Sequence, residues 1–315
     1  MLFNISAQKT CGDKYNYTST DAQCTSAFIS YMAKKCSLWG MIGTTFANPS
    51  GLTQDSVTTP RDLLKLGVAV AANPVALGIW STPDGNFSVK GAHARTLAVT
   101  NNLMAEGAVG PTVNAGGYKF LGGKGGSYWS GSSYWRAGVD IVDIEGRSVV
   151  LALLAKGQTS FNNLHLSTKE LCDMIKATLN GQTPSAGTNI SALVTNGGGY
   201  ASCVAPDVPG AYLDFITPAE LAARTYSVSA AQTISSLPAS TSKTMTMLCA
   251  LDFARYLYDT ITVKSGDISS GSGSTFYDGD ELLLLDALRI MMAESSNTLA
   301  NTVARSIGRV ILAYA

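Results

Sequence analysis

The stretch Leu-Pro-Ala-Ser-Thr-Ser-Lys at residues 237–243 is the most informative part of this 315-residue chain. Its Ser240 and Lys243 have a Ser-x-x-Lys spacing, which puts both side chains on the same face of a helix, one turn apart. Free backbone N–H groups and the helix dipole at a helix start stabilise a developing oxyanion. A lysine whose pKa is lowered by burial and by nearby cations can take the serine proton. The pair therefore suits acyl transfer without histidine.

Taken alone, the four-residue pattern is weak evidence. Ser6 and Lys9 have the same spacing in a segment without helical periodicity. The commoner interpretation of such a pattern is an N-cap serine followed by an exposed helix lysine. The chain's two histidines, His93 and His165, lack the partner pattern of a Ser-His-Asp triad, so a histidine-based site is not predicted.

Two further motifs accompany the Ser-x-x-Lys in a rotated order. Ser-Ser-Asn at residues 295–297 is a Ser-x-Asn, and Gly-Gly-Lys-Gly-Gly at residues 122–126 lies far upstream. Penicillin-binding proteins and class A β-lactamases carry Ser-x-x-Lys, a Ser-x-Asn motif and Lys-Thr-Gly, in that order. Residues 238–243 closely resemble the Pro-Ala-Ser-Thr-Thr-Lys segment of serine D-alanyl-D-alanine carboxypeptidases.

Other segments resemble the same family. Phe-Ala-Asn-Pro-Ser-Gly-Leu at residues 46–52 matches its Phe-x-Asn-Pro-x-Gly-Leu segment. Residues 58–63, 100–103 and 278–300 are similar to the family's next helix start, its Thr-Asn-x-Leu and its approach to Ser-x-Asn. The resemblance covers about residues 24–180 and 205–310 and is specific to this family.

The resemblance implies one circularly permuted catalytic domain. Its expected fold is α/β (α+β), an antiparallel β-sheet flanked by helices plus an all-helical subdomain, like β-lactamases and transpeptidases. Residues 24–180 correspond to the C-terminal part of the usual order, and 206–315 to the N-terminal part. Residues 181–205, rich in Gly, Asn, Thr and Ser, are expected to be a linker between the usual ends.

The resemblance also implies catalytic roles. Ser240 would be the nucleophile and Lys243 the base for acylation. Ser295 and Asn297 would form the opposite wall, pass protons and hold the substrate amide. From residues alone, ordinary helix capping explains Ser295 and Asn297 equally well.

The implied substrate-binding strand comprises Lys124, Gly125, Gly126 and Ser127. Lys124 would bind the substrate's terminal carboxylate and keep Lys243 neutral, and a strand N–H would complete the oxyanion hole with that of Ser240. In isolation Lys124 reads as an exposed lysine in a glycine turn. Gly125 replaces the family's hydroxyl residue, a role that Ser127 is placed in sequence to fill.

The predicted function is a serine-type D-Ala-D-Ala carboxypeptidase acting on peptidoglycan stem peptides, with β-lactams as inhibitors and no cofactor. A β-lactamase, or an esterase or peptide cyclase on the same scaffold, remains an alternative, as does an inactive cell-wall-binding module. The class A deacylating glutamate should lie between Ser-x-Asn and Lys-Thr-Gly. No glutamate precedes Glu106 in this chain, which argues against class A.

Composition narrows the class further. Only 14% of residues are charged and the net charge is zero, so no footprint for nucleic acid or an anionic membrane is present. Neither a signal peptide nor a membrane span is visible, and the low charge favours an extracytoplasmic protein. Cys-x-x-Cys spacing is absent, so zinc is not predicted. Cys36, Cys172 and Cys249 should be buried thiols. The sequence does not decide whether Cys11 and Cys24 form a disulfide.

Periodicity and turn residues predict the main elements. A central hairpin is expected from strands 139–144 and 148–155, and further strands near 211–215 and 224–228. The expected helices span 24–38, a segment from Pro60, 167–179 with a capping box, 238–256, 281–292 and 296–313.

Overall fold

The computed structural model describes residues 19–155, 164–205 and 228–314. They form a mixed α/β fold with two antiparallel four-stranded sheets. The helices are α1 (Asp21–Leu38), α2 (Pro60–Ala71), α3 (Pro74–Trp80), α4 (Val109–Ala115), α5 (Leu164–Leu179), α6 (Thr188–Thr195), α7 (Ser242–Leu251), α8 (Leu284–Ala293) and α9 (Asn297–Tyr314). The strands are β1 (Gly85–Gly91), β2 (Arg95–Val99), β3 (Lys119–Ser130), β4 (Ser133–Ile144), β5 (Arg147–Ala155), β6 (Gly199–Val204), β7 (Thr260–Thr262) and β8 (Asp280–Leu283).

The first sheet has the order β3-β4-β5-β6 and contains the predicted hairpin. Strands β4 and β5 pair from Ile144↔Arg147 onward, as the sequence indicated. Alternate residues of β5 belong to two different cores: Val150 packs in the core that includes α2, and Leu151 in the core that includes α5 and α6. The sheet is thus covered by helices on both faces, and β3 is left at its edge.

The second sheet, in the order β2-β1-β8-β7, was not predicted. The expected helix from Glu281 is wrong at its start, because residues 280–283 form β8 and the helix begins at Leu284. The cause is tertiary. Arg95 donates to both carboxylate oxygens of the buried Asp280, at 3.0 and 2.9 Å, and Leu282 packs into the main core, so this apolar run is fixed as a strand.

The expected linker at 181–205 is also wrong, because α6 and β6 lie within it. Gly, Ser and Asn gave this segment a loop-like composition. In the structure, however, the small residues Ala201, Ser202 and Cys203 are fully buried in β6, where they pair with β5. Only residues 180–187, which are neither helix nor strand, form a connection of the expected kind. The predicted strand near 211–215 and nearly all of that near 224–228 lie outside the described residues.

The predicted helices α1, α2 and α9 are confirmed, with Thr20 and Thr59 capping the first two. Two boundaries differ. Helix α5 starts at Leu164, so Ser167–Glu170 is not a capping box, and Thr168 Oγ1 instead bonds to the Leu164 carbonyl inside the helix. Helix α7 ends at Leu251 rather than near 256. A separate 3-10 turn follows at Ala254–Tyr256.

Helices α1 and α9 pack closely against each other. A Cβ at Gly308 would lie 1.8 Å from the Cys24 carbonyl oxygen, so only glycine permits this approach. Cys24, Cys36, Cys172 and Cys249 are buried free thiols, while Cys11 lies outside the described residues. In the described part of the chain, no single helix has the length and hydropathy to cross a membrane. Helices α2 and α3, which are bent by 108° at the break between them, reach that length and hydropathy only as a pair.

Candidate active site

Ser240 lies in a strained turn that opens a buried helix. The 3-10 turn Ala239–Thr241 runs directly into α7, and the Pro238 carbonyl accepts from the Thr241 N–H at 3.1 Å and from Thr241 Oγ1 at 2.6 Å. Ala239 has φ of 47°, which a residue with a Cβ rarely adopts. Residues 241–251 are all buried, whereas Ser240 is partly exposed. This turn therefore presents the Ser240 hydroxyl at the surface of the core.

Lys243 is completely buried and is not the exposed helix lysine of the alternative interpretation. Its Nζ lies 2.9 Å from Ser240 Oγ, 2.7 Å from Asn297 Oδ1 and 2.8 Å from the Ser50 carbonyl oxygen. Burial, and secondarily the charge of Lys124, place the pKa of Lys243 well below its ordinary value. In a neutral Lys243 amine, donation of the two N–H groups to the Ser50 carbonyl and Asn297 Oδ1, which can only accept, would leave the lone pair for the Ser240 hydroxyl. This arrangement suits a general base.

Asn297 is the first residue of α9, but it does not cap that helix. Its Oδ1 accepts from Lys243, and its Nδ2 donates to the Ser270 carbonyl at 2.9 Å, which fixes the orientation of the amide. Ser296 provides the cap instead, because its Oγ accepts from the Leu299 N–H at 3.3 Å. The capping interpretation of Asn297 is therefore wrong.

Ser295 faces the cleft from a strained position. Its φ of 66° lies in the left-handed region, and its Oγ accepts from Lys124 Nζ at 2.9 Å. Such strain persists only where the surroundings fix it, and it is common at functional sites. The conformation leaves Ser295 to bond to Lys124 rather than to the N-terminus of α9.

Lys124 lies in the edge strand β3 and is only 4% exposed, so the glycine-turn interpretation is wrong. Its Nζ donates to Ser295 Oγ and, at 2.7 Å, to the Gly125 carbonyl. Burial lowers the pKa of Lys124 to about 7, against an opposing effect of Asp140. Asp140 is itself buried, and burial raises the pKa of its carboxyl to about 8. Burial thus favours the neutral form of both groups.

The two glycines after Lys124 have different surroundings. A Cβ at Gly126 would lie 2.8 Å from both the Ser240 nitrogen and the Pro238 carbonyl oxygen, so the strand can approach the Ser240 turn only with glycine here. A Cβ at Gly125 would meet only Leu103 Cδ2, at 3.4 Å, and its φ is outside the left-handed region. Gly125 therefore leaves open space beside the cleft.

A cavity of about 330 Å³ joins these groups. Of the predicted site residues, those that line it are Lys124, Gly125, Gly126, Ser127, Ser240 and Ser295. Lys243 and Asn297 lie behind this wall, bonded to each other and to Ser240. Within the described ranges, no aspartate or glutamate lines the cavity. All eight predicted site residues thus belong to one cleft or its immediate support.

Sequence reasoning missed two cationic or titratable residues of the cavity wall. Arg136 lies opposite Ser127 across the β3–β4 pair, and His165 lies at the start of α5. Burial and the neighbouring Arg136 lower the pKa of His165. Once β3 and β4 are paired, the hairpin register places Arg136 opposite Ser127, so Arg136 could have been predicted from that pairing. No sequence signal connects His165 with the site.

The segment at residues 46–52 also contributes to the site, through its backbone. The Ser50 carbonyl accepts from Lys243, and the Pro49 carbonyl accepts from Thr246 Oγ1 at 2.7 Å. Gly51 has φ of 78°, and a Cβ there would lie 1.8 Å from the Ala239 carbonyl oxygen. This segment therefore supports both the Ser240 turn and the lysine behind it.

Comparison with known proteins gave no relatives. No protein-family model, curated protein or solved structure matches the chain. Among residues 19–155, 164–205 and 228–314, no group of three or more His, Cys, Asp or Glu side chains is arranged to hold a metal ion.

Proposed function

We propose that this protein is a serine acyl-transfer enzyme, a D-Ala-D-Ala carboxypeptidase with a circularly permuted β-lactamase/transpeptidase-like fold. The observation that carries the proposal is the convergence of three distant chain segments on one hydrogen-bonded cluster. Lys243 Nζ is 2.9 Å from Ser240 Oγ and 2.7 Å from Asn297 Oδ1, and Lys124 Nζ is 2.9 Å from Ser295 Oγ. A structural role alone does not require two buried lysines to face three hydroxyl or amide groups around a cavity.

The chemistry follows from these contacts. Ser240 Oγ attacks the carbonyl carbon of the penultimate D-alanine as its proton moves to the neutral Lys243 amine. The Ser240 N–H, with one from β3 beside Gly126, stabilises the oxyanion. As the C–N bond breaks, the proton taken up by Lys243 is delivered, by way of the Ser295 hydroxyl, to the leaving D-alanine nitrogen, so that Lys243 is neutral again and can take a proton from the attacking water. Water then hydrolyses the acyl-enzyme ester and regenerates Ser240.

The cavity wall suits a substrate with a free carboxylate. Lys124, Ser127 and Arg136 lie along it and supply two cations and a hydroxyl, while no aspartate or glutamate of the described residues lines the cavity. The space beside Gly125 is where the family's hydroxyl would be. Among the described residues, no carboxylate of the wall is available to activate a deacylating water, as the β-lactamase alternative would require.

The permutation is supported by the positions of α1 and α9. Arg309, near the end of α9, donates to Asp21, at the start of α1, at 2.8 Å. A short connection could therefore join α9 to α1, as the usual family order requires. Because α6 and β6 lie within the expected linker, the segment left to join the family's usual ends is residues 180–187.

Turnover of a peptide ending in D-Ala-D-Ala tests the function directly. The wild-type chain should release D-alanine, and Ser240→Ala should release none. Ser242→Ala is a matched control, because the buried Ser242 hydroxyl has no hydrogen-bond partner among the described residues and lies outside the cavity wall. Absence of turnover and of acylation in the folded wild-type protein would refute the proposal, as would activity that survives in Ser240→Ala.

A further inference from the structure

Four aromatic side chains lie at the outer end of the β3–β4 hairpin, beyond the cavity. They form two cross-strand pairs: Tyr128 with Trp135, whose ring centroids are 6.0 Å apart, and Trp129 with Tyr134, at 5.8 Å. Trp129 is 69% exposed and the other three are partly exposed. They are therefore a surface feature, not part of the core, and exposed aromatic groups of this kind commonly mark binding sites.

This aromatic hairpin end is continuous with the cavity. Ser127 and Arg136 are a cross-strand pair that lines the cavity, and the pair Trp129–Tyr134, two residues further along each strand, lies on the same face of the hairpin, whereas Tyr128 and Trp135 lie on the opposite face. The Arg136 guanidinium carbon lies 5.0 Å from the centroid of the Tyr134 ring. At roughly 3.3 Å per strand residue, Trp129 is about 17 Å along β3 from Lys124. A ligand that extends out of the cleft along β3 would reach these rings.

The composition of this hairpin end favours a sugar over a lipid or an apolar protein surface. Residues 127–136 contain four aromatic residues, four serines, one glycine and one arginine, with no aliphatic side chain. Membrane-surface segments combine large apolar residues with several lysines or arginines. This segment has no aliphatic side chain and a single cation, Arg136. Flat rings beside hydroxyl groups can bury the C–H face of a pyranose while bonding to its hydroxyls.

We propose that the face of the aromatic hairpin end formed by Trp129 and Tyr134 is a carbohydrate subsite that stacks a pyranose ring of the glycan strand carrying the stem peptide. The inference rests on the proposed function, because peptidoglycan is the substrate in which a D-Ala-D-Ala peptide is attached to a polysaccharide. The subsite would place the polymer along β3 while its peptide enters the cavity.

Trp129→Ala tests the subsite, with Trp129→Phe as the conservative variant. A matched control is Tyr258→Ala, which removes a 75% exposed ring preceding β7. The probe is a hexamer of N-acetylglucosamine, titrated against each full-length protein by calorimetry. We expect Trp129→Ala to weaken binding by at least about tenfold, and Trp129→Phe and Tyr258→Ala to stay within about threefold of wild type. The ratio of kcat/KM on polymeric peptidoglycan to that on free stem peptide should fall in parallel.

Penicillin acylation of the same variants separates this proposal from the proposed function. The acylation rate should be unchanged in Trp129→Ala, because the residue is outside the cavity. Equal hexamer binding by Trp129→Ala and wild type, or no binding by either, would overturn the subsite even if Ser240 is acylated. Binding to phosphatidylglycerol vesicles but not to the hexamer would overturn it in favour of a lipid surface, as would Trp129-dependent dimerisation without sugar binding in favour of a self-association surface. Hexamer binding that depends on Trp129 in a protein that penicillin does not acylate would keep the subsite and refute the carboxypeptidase.

Discussion

At the scale of single residues, the proposed mechanism depends on the protonation of two buried lysines. Lys243 acts as a base only when neutral, so acylation should rise with pH as its lowered pKa is passed. In the same mechanism Lys124 binds the substrate carboxylate only when charged, and that charge is lost as pH rises through its pKa of about 7. We therefore expect a bell-shaped pH profile of kcat/KM for a D-Ala-D-Ala peptide, with the basic limb set by Lys124. For an ester without a carboxylate the basic limb should be absent.

A Lys124→Gln variant provides the control for this interpretation. The Lys124 charge helps to lower the pKa of Lys243, so its removal should shift the acid limb of ester acylation to higher pH. Stopped-flow acylation at a series of pH values measures both limbs. An identical acid limb in wild type and Lys124→Gln would show that the two lysines are not coupled.

Gly125→Thr should improve the use of substrates that have a free carboxylate. Its Cβ would meet only Leu103, and the backbone there does not require glycine. One well-placed hydrogen bond to a charged group is worth roughly 1.5–3 kcal/mol, or about 10- to 100-fold in kcat/KM. Gly126→Ala is the contrasting variant and should lose activity, because its Cβ would clash with the Ser240 turn. An unchanged kcat/KM for Gly125→Thr would indicate that Ser127 or Arg136 already fills the role.

Release of a penicilloyl group from Ser240 should be slow. No aspartate or glutamate of the described residues lines the cavity, so none of those residues is placed to activate water on the class A pattern. After removal of excess penicillin, the adduct should persist for orders of magnitude longer than a normal turnover. Rapid multiple-turnover hydrolysis of nitrocefin would instead favour the β-lactamase alternative.

At the scale of elements, the Ser240 turn depends on a segment nearly two hundred residues away in the chain. Gly51→Ala should displace this turn, because its Cβ would overlap the Ala239 carbonyl and φ at 51 is positive. We expect penicillin acylation to fall more than about tenfold and the denaturation midpoint to decrease. The control is Gly78→Ala in α3, where a Cβ meets nothing within 4 Å and helix propensity should improve by about 0.5–1 kcal/mol. Normal acylation by Gly51→Ala would show that this contact does not position Ser240.

Elements with strong local signals were predictable from sequence, and those fixed by tertiary contacts were not. The β4–β5 hairpin combined a turn with two apolar runs, and α2 combined Thr59 with a proline start, so both could be predicted. The sequence predicts helix at β8, because the burial of this strand depends on Asp280 accepting hydrogen bonds from Arg95, nearly two hundred residues away. Strand β6 was read as linker because small residues bury little apolar area alone and gain a place only beside β5.

At the scale of the whole molecule, a re-rotated chain tests the permutation. The exposed connection at residues 181–187 is the natural place to open it, with residue 315 joined to residue 1 by a flexible linker. Because Arg309 and Asp21 are in contact, this joining should leave α1 and α9 packed. The rotated protein should bind penicillin at a rate within a few-fold of the original chain. A folded rotated protein without penicillin binding would contradict the single-site account.

The residues of the candidate site were predictable from the sequence, but their geometry was not. The short motifs identified Ser240, Lys243, Asn297 and Lys124 even though they occur in a rotated order along the chain. Acyl-transfer chemistry requires those residue types at short spacings. The strain at Ala239 and Ser295, and the backbone carbonyl of Ser50 behind Lys243, arise only from packing between distant segments. Sequence spacing carries no information on such contacts.

The central claim is that Ser240 is an activated acyl-accepting nucleophile, and covalent capture by benzylpenicillin tests it most directly. Wild type and Ser242→Ala should each gain one penicilloyl group, which peptide mass spectrometry should locate on Ser240. Ser240→Ala should remain unmodified while keeping its fold, since it loses a single hydroxyl from a partly exposed position. An unmodified Ser240 in folded wild-type protein, or an adduct on another residue, would contradict the account.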